Sequence, residues 1–254
     1  MKSDKVAGQS VFLQQKIVYR GALRILSLET STPSHSIALH QNGNLLEELI
    51  ENVNRKSSHL ILNIQTLLLR CKWKLEDIDG FAYSGGPGSL TGLRVGAMAV
   101  FGLAIATGKP MVKISTLKAM ALSQRKEGND EWVAVVVDAH HLQVHLGLYR
   151  VASSGNIETI IHSRVCSPDQ ALRLIPDEAT IIGDGVSKYR SLFLTKFPGS
   201  CHSAADTLPL AQHIGYLAHQ EFSNHGGIFP SAENWIQLEP NYGQPWKGLA
   251  QKVI

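Results

Sequence analysis

The stretch Gly85-Gly86-Pro87-Gly88-Ser89-Leu90-Thr91-Gly92-Leu93-Arg94 constrains the fold more than any other part of the chain. It follows an apolar run, Ile78–Ser84, that reads as a buried strand, and it opens an apolar helix to about Thr107. Strand, glycine turn and helix in direct succession form one unit of an α/β layer. Two uses of the turn stand open. Glycines let backbone amides approach an anion, and a helix start adds partial positive charge. Gly86, Gly88, Ser89, Thr91, Gly92 and Arg94 would then make an anion or nucleotide loop. Alternatively, the glycines serve close packing at a tight strand-to-helix turn. No Gly-Lys-Ser/Thr closes the loop, so it is not a Walker pattern.

The elements around the loop repeat. Leu23–Ser31 reads as a buried strand, and Ser36–His40 and Leu45–Val53 follow as two more. The last two are joined through Asn42-Gly43, a pair favoured where both central turn residues need positive φ. A helix spans about Ser57–Lys72, with Ser57 or Ser58 as its cap. After the glycine loop and its helix, Lys109–Ile114 reads as a linking strand, with a hinge near Gly108–Ser115. Trp132–Asp138 and Val144–Val151 form a hairpin and Ile157–Arg164 a third strand. Pro168–Ile175 reads as a helix, Thr180–Gly183 as a strand and Val186–Thr195 as a helix. Three strands, helix, strand, helix thus appear twice. That order predicts an α/β protein of two similar lobes, each a mixed sheet with flanking helices. The expected division is a flexible extension over 1–22, an N-terminal lobe over 23–114, a smaller C-terminal lobe over 115–225 and an irregular tail over 226–254. A last helix at about Leu208–Ser223 closes the structure.

The chain has 254 residues, enough for such a pair of lobes. Basic residues number 24 against 21 acidic, and the net charge is only +3. Nucleic-acid binders concentrate far more positive charge, so direct, tight RNA binding by this chain alone is not expected, which leaves room for a local patch only. Cys71, Cys166 and Cys201 lie far apart with no CxxC pair, the usage of a reduced, cytoplasmic compartment. The most apolar stretch, Val95–Thr107, is shorter than the ~20 residues a membrane span needs, so no membrane contact is expected. Residues 1–22 have no continuous apolar centre of the kind a signal peptide requires.

In the Ser57–Lys72 helix, Leu60, Ile61, Ile64, Leu67, Leu68 and Cys71 recur at the helical period and mark the face on the sheet. A second stripe, Leu62, Thr66 and Leu69, packs under a neighbouring helix of the same lobe or meets another molecule. The helix from Thr91 is apolar nearly all round and carries Gly92, Gly96, Gly102 and several alanines. Glycine within a helix costs ~1 kcal/mol against alanine, so its recurrence implies close backbone approach. Two such helices can pair with two from a homologue.

GPGSLTGLR resembles the GPGS(F/L)TG(L/V)R signature of the TsaB family, formerly called YeaZ. ILSLETST is similar to that family's opening ILAIDTST strand. Ser58-His59-Leu60 with Leu62 falls where its first helix begins, and Ser115-Thr116-Leu117 resembles its VSTL element. Asp138-Ala139 matches the start of its DAR turn, and Trp246-Lys247 resembles its terminal WK. Residues 23–248 are covered. Glu29 stands where the family has Asp, His140 replaces the Arg of DAR, and Asn241-Tyr242-Gly243 keeps the Tyr of the tail but not its Arg.

The resemblance implies two RNase H-like or actin-like (ASKHA) lobes and a non-catalytic scaffold. The scaffold binds TsaD, the transferase that places threonylcarbamoyl on N6 of adenosine 37 in tRNAs reading ANN codons. Implied partners are a TsaD-like catalytic subunit, a TsaE-like ATPase in the complex and, when alone, a second copy in a homodimer. The implied interface takes Ser58, His59, Leu62, Thr66 and Leu69 from one helix and Gly92, Arg94, Gly96 and Val100 from the other. Leu62→Glu or Gly96→Leu should then abolish association and leave the monomer folded. No cofactor is required on this reading, and ATP or ADP at the partner interface is the one nucleotide to consider. Catalytic relatives hold a metal through a helix-borne histidine pair. Here His59 has Asn63 where the second histidine would fall, so neither a metal nor a catalytic residue is assigned. His141 and His145 fall in a turn and a strand, not on one helix face. The rival is an actin-like ATPase or small-molecule kinase using Glu29 and Asp138 around magnesium. A metalloprotease is disfavoured by the missing histidine pair.

Overall fold

The computed structural model describes residues 21–52, 59–202, 207–229 and 240–241. Five strands make the first sheet: β1 (Arg24–Glu29), β2 (Ser34–Gln41), β3 (Asn44–Asn52), β4 (Gly80–Ser84) and β5 (Met111–Ile114). Their order is β3-β2-β1-β4-β5. β1, β2 and β3 run antiparallel, whereas β4 is parallel to β1 and β5 to β4. Four strands make the second: β6 (Glu131–Asp138), β7 (Val144–Val151), β8 (Ile157–Cys166) and β9 (Thr180–Ile182), in the order β8-β7-β6-β9. Again three strands run antiparallel and the fourth lies parallel to the first of them. The repeat read from element order is therefore a repeat of sheet topology. The fold is the expected pair of RNase H-like or actin-like lobes.

β1 explains the layering of the first lobe. It is the central strand, and its side chains alternate between two buried faces. Leu26 and Leu28 face a core shared with α1 (Leu60–Arg70) and α2 (Leu90–Thr107), to which Ile64, Leu67, Ala97, Val100 and Ala104 contribute. Ile25 faces the opposite core, with Ile214, Leu217 and Phe222 of α7 (Ala211–His225). Each fully buried Leu, Ile, Val or Phe contributes roughly 1.5–3 kcal/mol relative to exposure, so these two faces carry much of the lobe's stability. Asn42 and Gly43 close the β2–β3 hairpin at φ 53° and 79°, as the dipeptide requires.

The last helix corrects the domain reading. α7 packs on β1, β2, β4 and β5, so the chain returns to the first lobe instead of closing the second. Polar groups of the sheet receive it. Ala211 N donates to Ser36 Oγ at 2.8 Å and Gln212 N to Glu48 Oε1 at 2.9 Å. These are first-turn amides with no partner inside the helix, and a carboxylate there also complements the helix dipole. Ser27 Oγ donates to Ala211 O at 2.8 Å. Gly215 allows the close approach, because a Cβ there would overlap the His40 ring.

A short helix absent from the sequence reading, α3 (Thr116–Leu122), fills the space between the lobes. Ser115 caps it by accepting from Lys118 N at 3.3 Å. Ala119 and Leu122 join the core of the first sheet and α7, whereas Leu117, Met120 and Ala121 join that of the second sheet. On the outer face of the second sheet lie α4 (Pro168–Leu174), α5 (Asp184–Lys188) and α6 (Arg190–Lys196). The single helix expected over 186–195 is broken at Tyr189, which has non-helical φ −110° and ψ 36°. Lys109–Ile114, expected as a link, supplies edge strand β5, whose outer side pairs with the tail through Met111 and Ile228. Most of the extension and of the tail lie outside the described residues. α2 is 18 residues long and apolar enough by length and composition to cross a membrane, against the shorter stretch read from sequence. Its inner face is packed on the sheet.

Burial under α7 leaves histidines uncharged. His40 is 1% exposed, and its Nε2 donates to Gln212 O at 3.0 Å. Burial pushes its pKa down to about 4, against that hydrogen bond, and burial does the same to His213. His35, His145 and His219 shift in the same direction, chiefly by burial. Unfolding frees these groups to bind protons, so the contribution of His40 and His213 is full above about pH 6.5 and is lost as pH falls toward about 4, and the other three act in the same direction. For His40 the loss is at most about 3 kcal/mol. Denaturant unfolding should show a midpoint that falls with acidification over this window. His40→Phe should be less stable at neutral pH yet fall less steeply. An unchanged slope would remove His40 from the account.

Candidate functional site

Gly88, Gly92 and Gly96 share one neighbouring segment, Thr30-Ser31. A Cβ at Gly88 would meet Ser31, one at Gly92 would overlap Thr30 O, and one at Gly96 would overlap Thr30 Oγ1. Spaced four apart, these positions lie along one side of the chain as it enters α2, and the link after β1 lies against them. Thr30 Oγ1 donates to Gly92 O at 2.8 Å. Ser89 caps the helix, accepting from Gly92 N at 3.3 Å.

Three amides of the loop are engaged by the chain itself. Gly85 N donates to Ile114 O at 2.6 Å, Gly86 N to Thr116 Oγ1 at 3.2 Å and Ser89 N to Ser31 O at 2.8 Å. Gly86 has φ 90°, and a Cβ there would overlap Asn241 O. This corrects the anion-loop reading for Gly86, Ser89 and Gly92, whose amides the chain itself engages, whereas Gly88 packs on Ser31 and lies exposed on the interlobe cleft. Thr91 and Arg94 lie exposed on the other side of α2.

The interface set divides likewise. Gly92, Gly96 and Val100 are buried against the first lobe and are not available to a partner. Gly96→Leu would therefore clash with Thr30 in the chain's own fold, contrary to the expectation that it leaves the monomer intact. Ser58 lies outside the described residues. His59 and Thr66 are exposed, and Thr66 Oγ1 donates to Leu62 O at 2.9 Å. Leu62 and Leu69 are 58% and 76% exposed. Ile61, assigned to the core by periodicity, is 50% exposed. Sequence reasoning missed the outward side of α2, where Val95, Met98 and Ile105 are 39%, 54% and 55% exposed. Their spacing of three and seven was readable, but a helix apolar nearly all round gives no phase by itself. α1 and α2 cover the same face of the sheet, so these exposed apolar side chains all lie on that side of the lobe.

At the start of α1, Glu51 holds both positions matching the metal-binding pair. His59 Nδ1 lies 3.2 Å from Glu51 Oε1, and Asn63 Nδ2 donates to Glu51 Oε2 at 2.7 Å.

A cleft of about 460 Å³ separates the lobes, lined by Ser31, Ser89, Thr116, Asp138, His145 and Asp184 among others. Burial alone would raise the Asp138 carboxyl. Hydrogen bonds from Lys188 Nζ at 2.7 Å and His140 N at 3.1 Å hold it below the usual range. Glu29 is fully buried, its Oε1 accepting from Ser31 N at 2.5 Å. Oε2 has no partner among the described residues, and burial raises the pKa to about 7 against bonds from Ser31 and Ser84. One carboxyl sealed in the sheet and another engaged by lysine do not fit a magnesium–nucleotide site. His141 is exposed in the β6–β7 turn at φ 45° and His145 is buried on β7, so the two do not converge. Among the described residues, no group of three or more His, Cys, Asp or Glu could hold a metal ion.

A family model described as TsaD: tRNA N6-adenosine threonylcarbamoyltransferase matches residues 51–207. The tRNA threonylcarbamoyladenosine biosynthesis protein TsaB of Haemophilus influenzae is 31% identical over 240 residues, covering 89% of this chain and 97% of that protein. TsaB of Escherichia coli is 27% identical over 198 residues, covering 74% of this chain and 86% of that protein. The solved structure of YeaZ from Pseudomonas aeruginosa superposes with a TM-score of 0.72 at 26% identity, covering 87% of this chain and 99% of that one.

Glu29→Gln tests the sealed carboxyl, because glutamine keeps the acceptor for Ser31 N and cannot ionise. A folded pKa raised from 4.5 to about 7 means stability is lost as pH rises through that window. The variant should therefore gain on the wild type in thermal unfolding between about pH 5 and about pH 8. A difference that does not change with pH would contradict the assignment.

Proposed function

The chain belongs to the TsaB family, and from that premise we propose that it acts in tRNA threonylcarbamoyladenosine biosynthesis as a scaffold. It docks a TsaD-like transferase through the outward sides of α1 and α2. The observation that carries this reading is the set Ile61, Leu62, Leu69, Val95, Met98 and Ile105, exposed on the outward sides of α1 and α2. A stable interface buries about 800 Å² per partner, and two helices of 11 and 18 residues offer a surface of that scale. Since α1 and α2 lie side by side, a homologue with the same pair can cover them as a four-helix contact. In the absence of the transferase, a second copy takes the same surface as a homodimer.

The subunit is non-catalytic on this reading. Glu51 engages the positions where catalytic relatives would place metal ligands, and the cleft carboxyls are sealed or ion-paired. The TsaE-like ATPase joins the assembled pair, with ATP or ADP at the boundary between subunits. The work is done in the cytoplasm, where tRNA is modified, and tRNA is reached through the transferase.

Leu69→Glu and Met98→Glu place charge on these outward sides without touching the core. Each should weaken association with the TsaD-like protein of the same organism by about 2 kcal/mol or more, read by size-exclusion chromatography with light scattering. Thermal stability of the isolated chain should stay within about 0.5 kcal/mol. Gly96→Leu should instead destabilise the chain itself by about 1–3 kcal/mol. Wild-type association by both Leu69→Glu and Met98→Glu would overturn the docking assignment.

A further inference from the structure

A second pocket, of about 410 Å³, shares no lining residue with the interlobe cleft. It lies where β5, α3, β7, β8 and α7 meet. Lys113 comes from β5, Lys118 from α3 and His162 from β8, and Ser115 and Ser163 complete the polar lining, the Ser115 hydroxyl accepting from Lys118 N. Ile114 and Leu217 supply an apolar wall. Glu221 is the one carboxylate among the described lining residues, and its Oε2 is engaged by His225 Nδ1 at 3.0 Å. Lys118 is half-buried and makes no ion pair among the described residues. The first glycine of the loop belongs to this pocket, because a Cβ at Gly85 would overlap Cγ of Lys113. Gly85 thus seats the lysine stem.

We propose that this pocket binds a phosphate ester of mononucleotide size, its phosphate held by Lys118, Lys113 and His162 and its organic part against Ile114 and Leu217. Ammonium groups with hydroxyl and ring N–H donors suit a phosphate better than a neutral ligand. The volume falls within the range of small-ligand sites and far exceeds the size of a bare ion. A free nucleotide and the terminal phosphate of an RNA strand share this chemistry. None of the lining residues lies on α1 or α2, so the site is independent of partner docking.

Isothermal titration of the full chain with AMP, inorganic phosphate and a short 5′-phosphorylated oligoribonucleotide tests it. AMP should bind, with phosphate weaker. Lys118→Ala should weaken AMP roughly tenfold, the loss of one charge-assisted contact. Lys188→Ala, which removes the partner of Asp138 at the other cleft, should leave AMP binding unchanged. Tighter binding of the oligoribonucleotide, equally sensitive to Lys118→Ala, assigns the pocket to an RNA end, and tighter AMP assigns it to a free nucleotide. No binding of any probe, or equal binding by wild type and Lys118→Ala, overturns the proposal. Association of Lys118→Ala with the TsaD-like partner should match wild type, so failure here leaves the docking reading standing.

Discussion

The link after β1 lies directly against α2 because Gly88, Gly92 and Gly96 put no side chain in its way. The Thr30 hydroxyl, bonded to Gly92 O, fixes the helix at that contact. A helix held along one edge has no freedom to roll. Its rotation turns Leu93, Ala97, Val100 and Ala104 inward and leaves Val95, Met98 and Ile105 facing out. The helical cost of Gly92 and Gly96 is thus offset inside the chain, and what the packing leaves over is an outward side with a fixed phase. The proposed docking uses that phase, and Gly102, exposed with nothing packed on it, lies on the outward side with Val95, Met98 and Ile105.

The two lobes are joined through a shared layer. α7 and α3 lie between the sheets, α7 received by Ser36 and Glu48 of the first and α3 contributing to both cores. The polar groups sealed in the first lobe, neutral His40 against Gly215 and Glu29 near Ser31, are tolerated because each keeps a hydrogen bond. Sealing also determines what the cleft can do. A carboxyl with pKa near 7 and an aspartate held by Lys188 leave little for a divalent cation.

Element order and the apolar runs of β1, β4, β6 and β7 carried enough information to predict both lobes, and Asn42-Gly43 marked its turn by dihedral need alone. α3 escaped because its seven residues follow the strand with only Ser115 between, too short for a helical period to show. α7 was found as a helix but assigned to the wrong lobe, since periodicity says that a face is buried and not against what. The same limit misplaced Gly96 and Val100. A small or apolar residue that permits close approach looks the same whether the approaching backbone belongs to the chain or to a partner. Ile61 failed for the opposite reason, as it falls near the edge of the apolar arc of α1, and only the packed lobe decides which side of that edge is covered.

Hydroxyl-radical footprinting of the chain, alone and mixed with its TsaD-like partner, tests the central claim most directly. Met98 is 54% and Leu69 76% exposed in the free chain, so both should be oxidised readily. On mixing, both should become protected together, with Leu142 on the far β6–β7 turn, 77% exposed, unchanged. A complex in which Met98 and Leu69 stay as reactive as in the free chain would contradict the account.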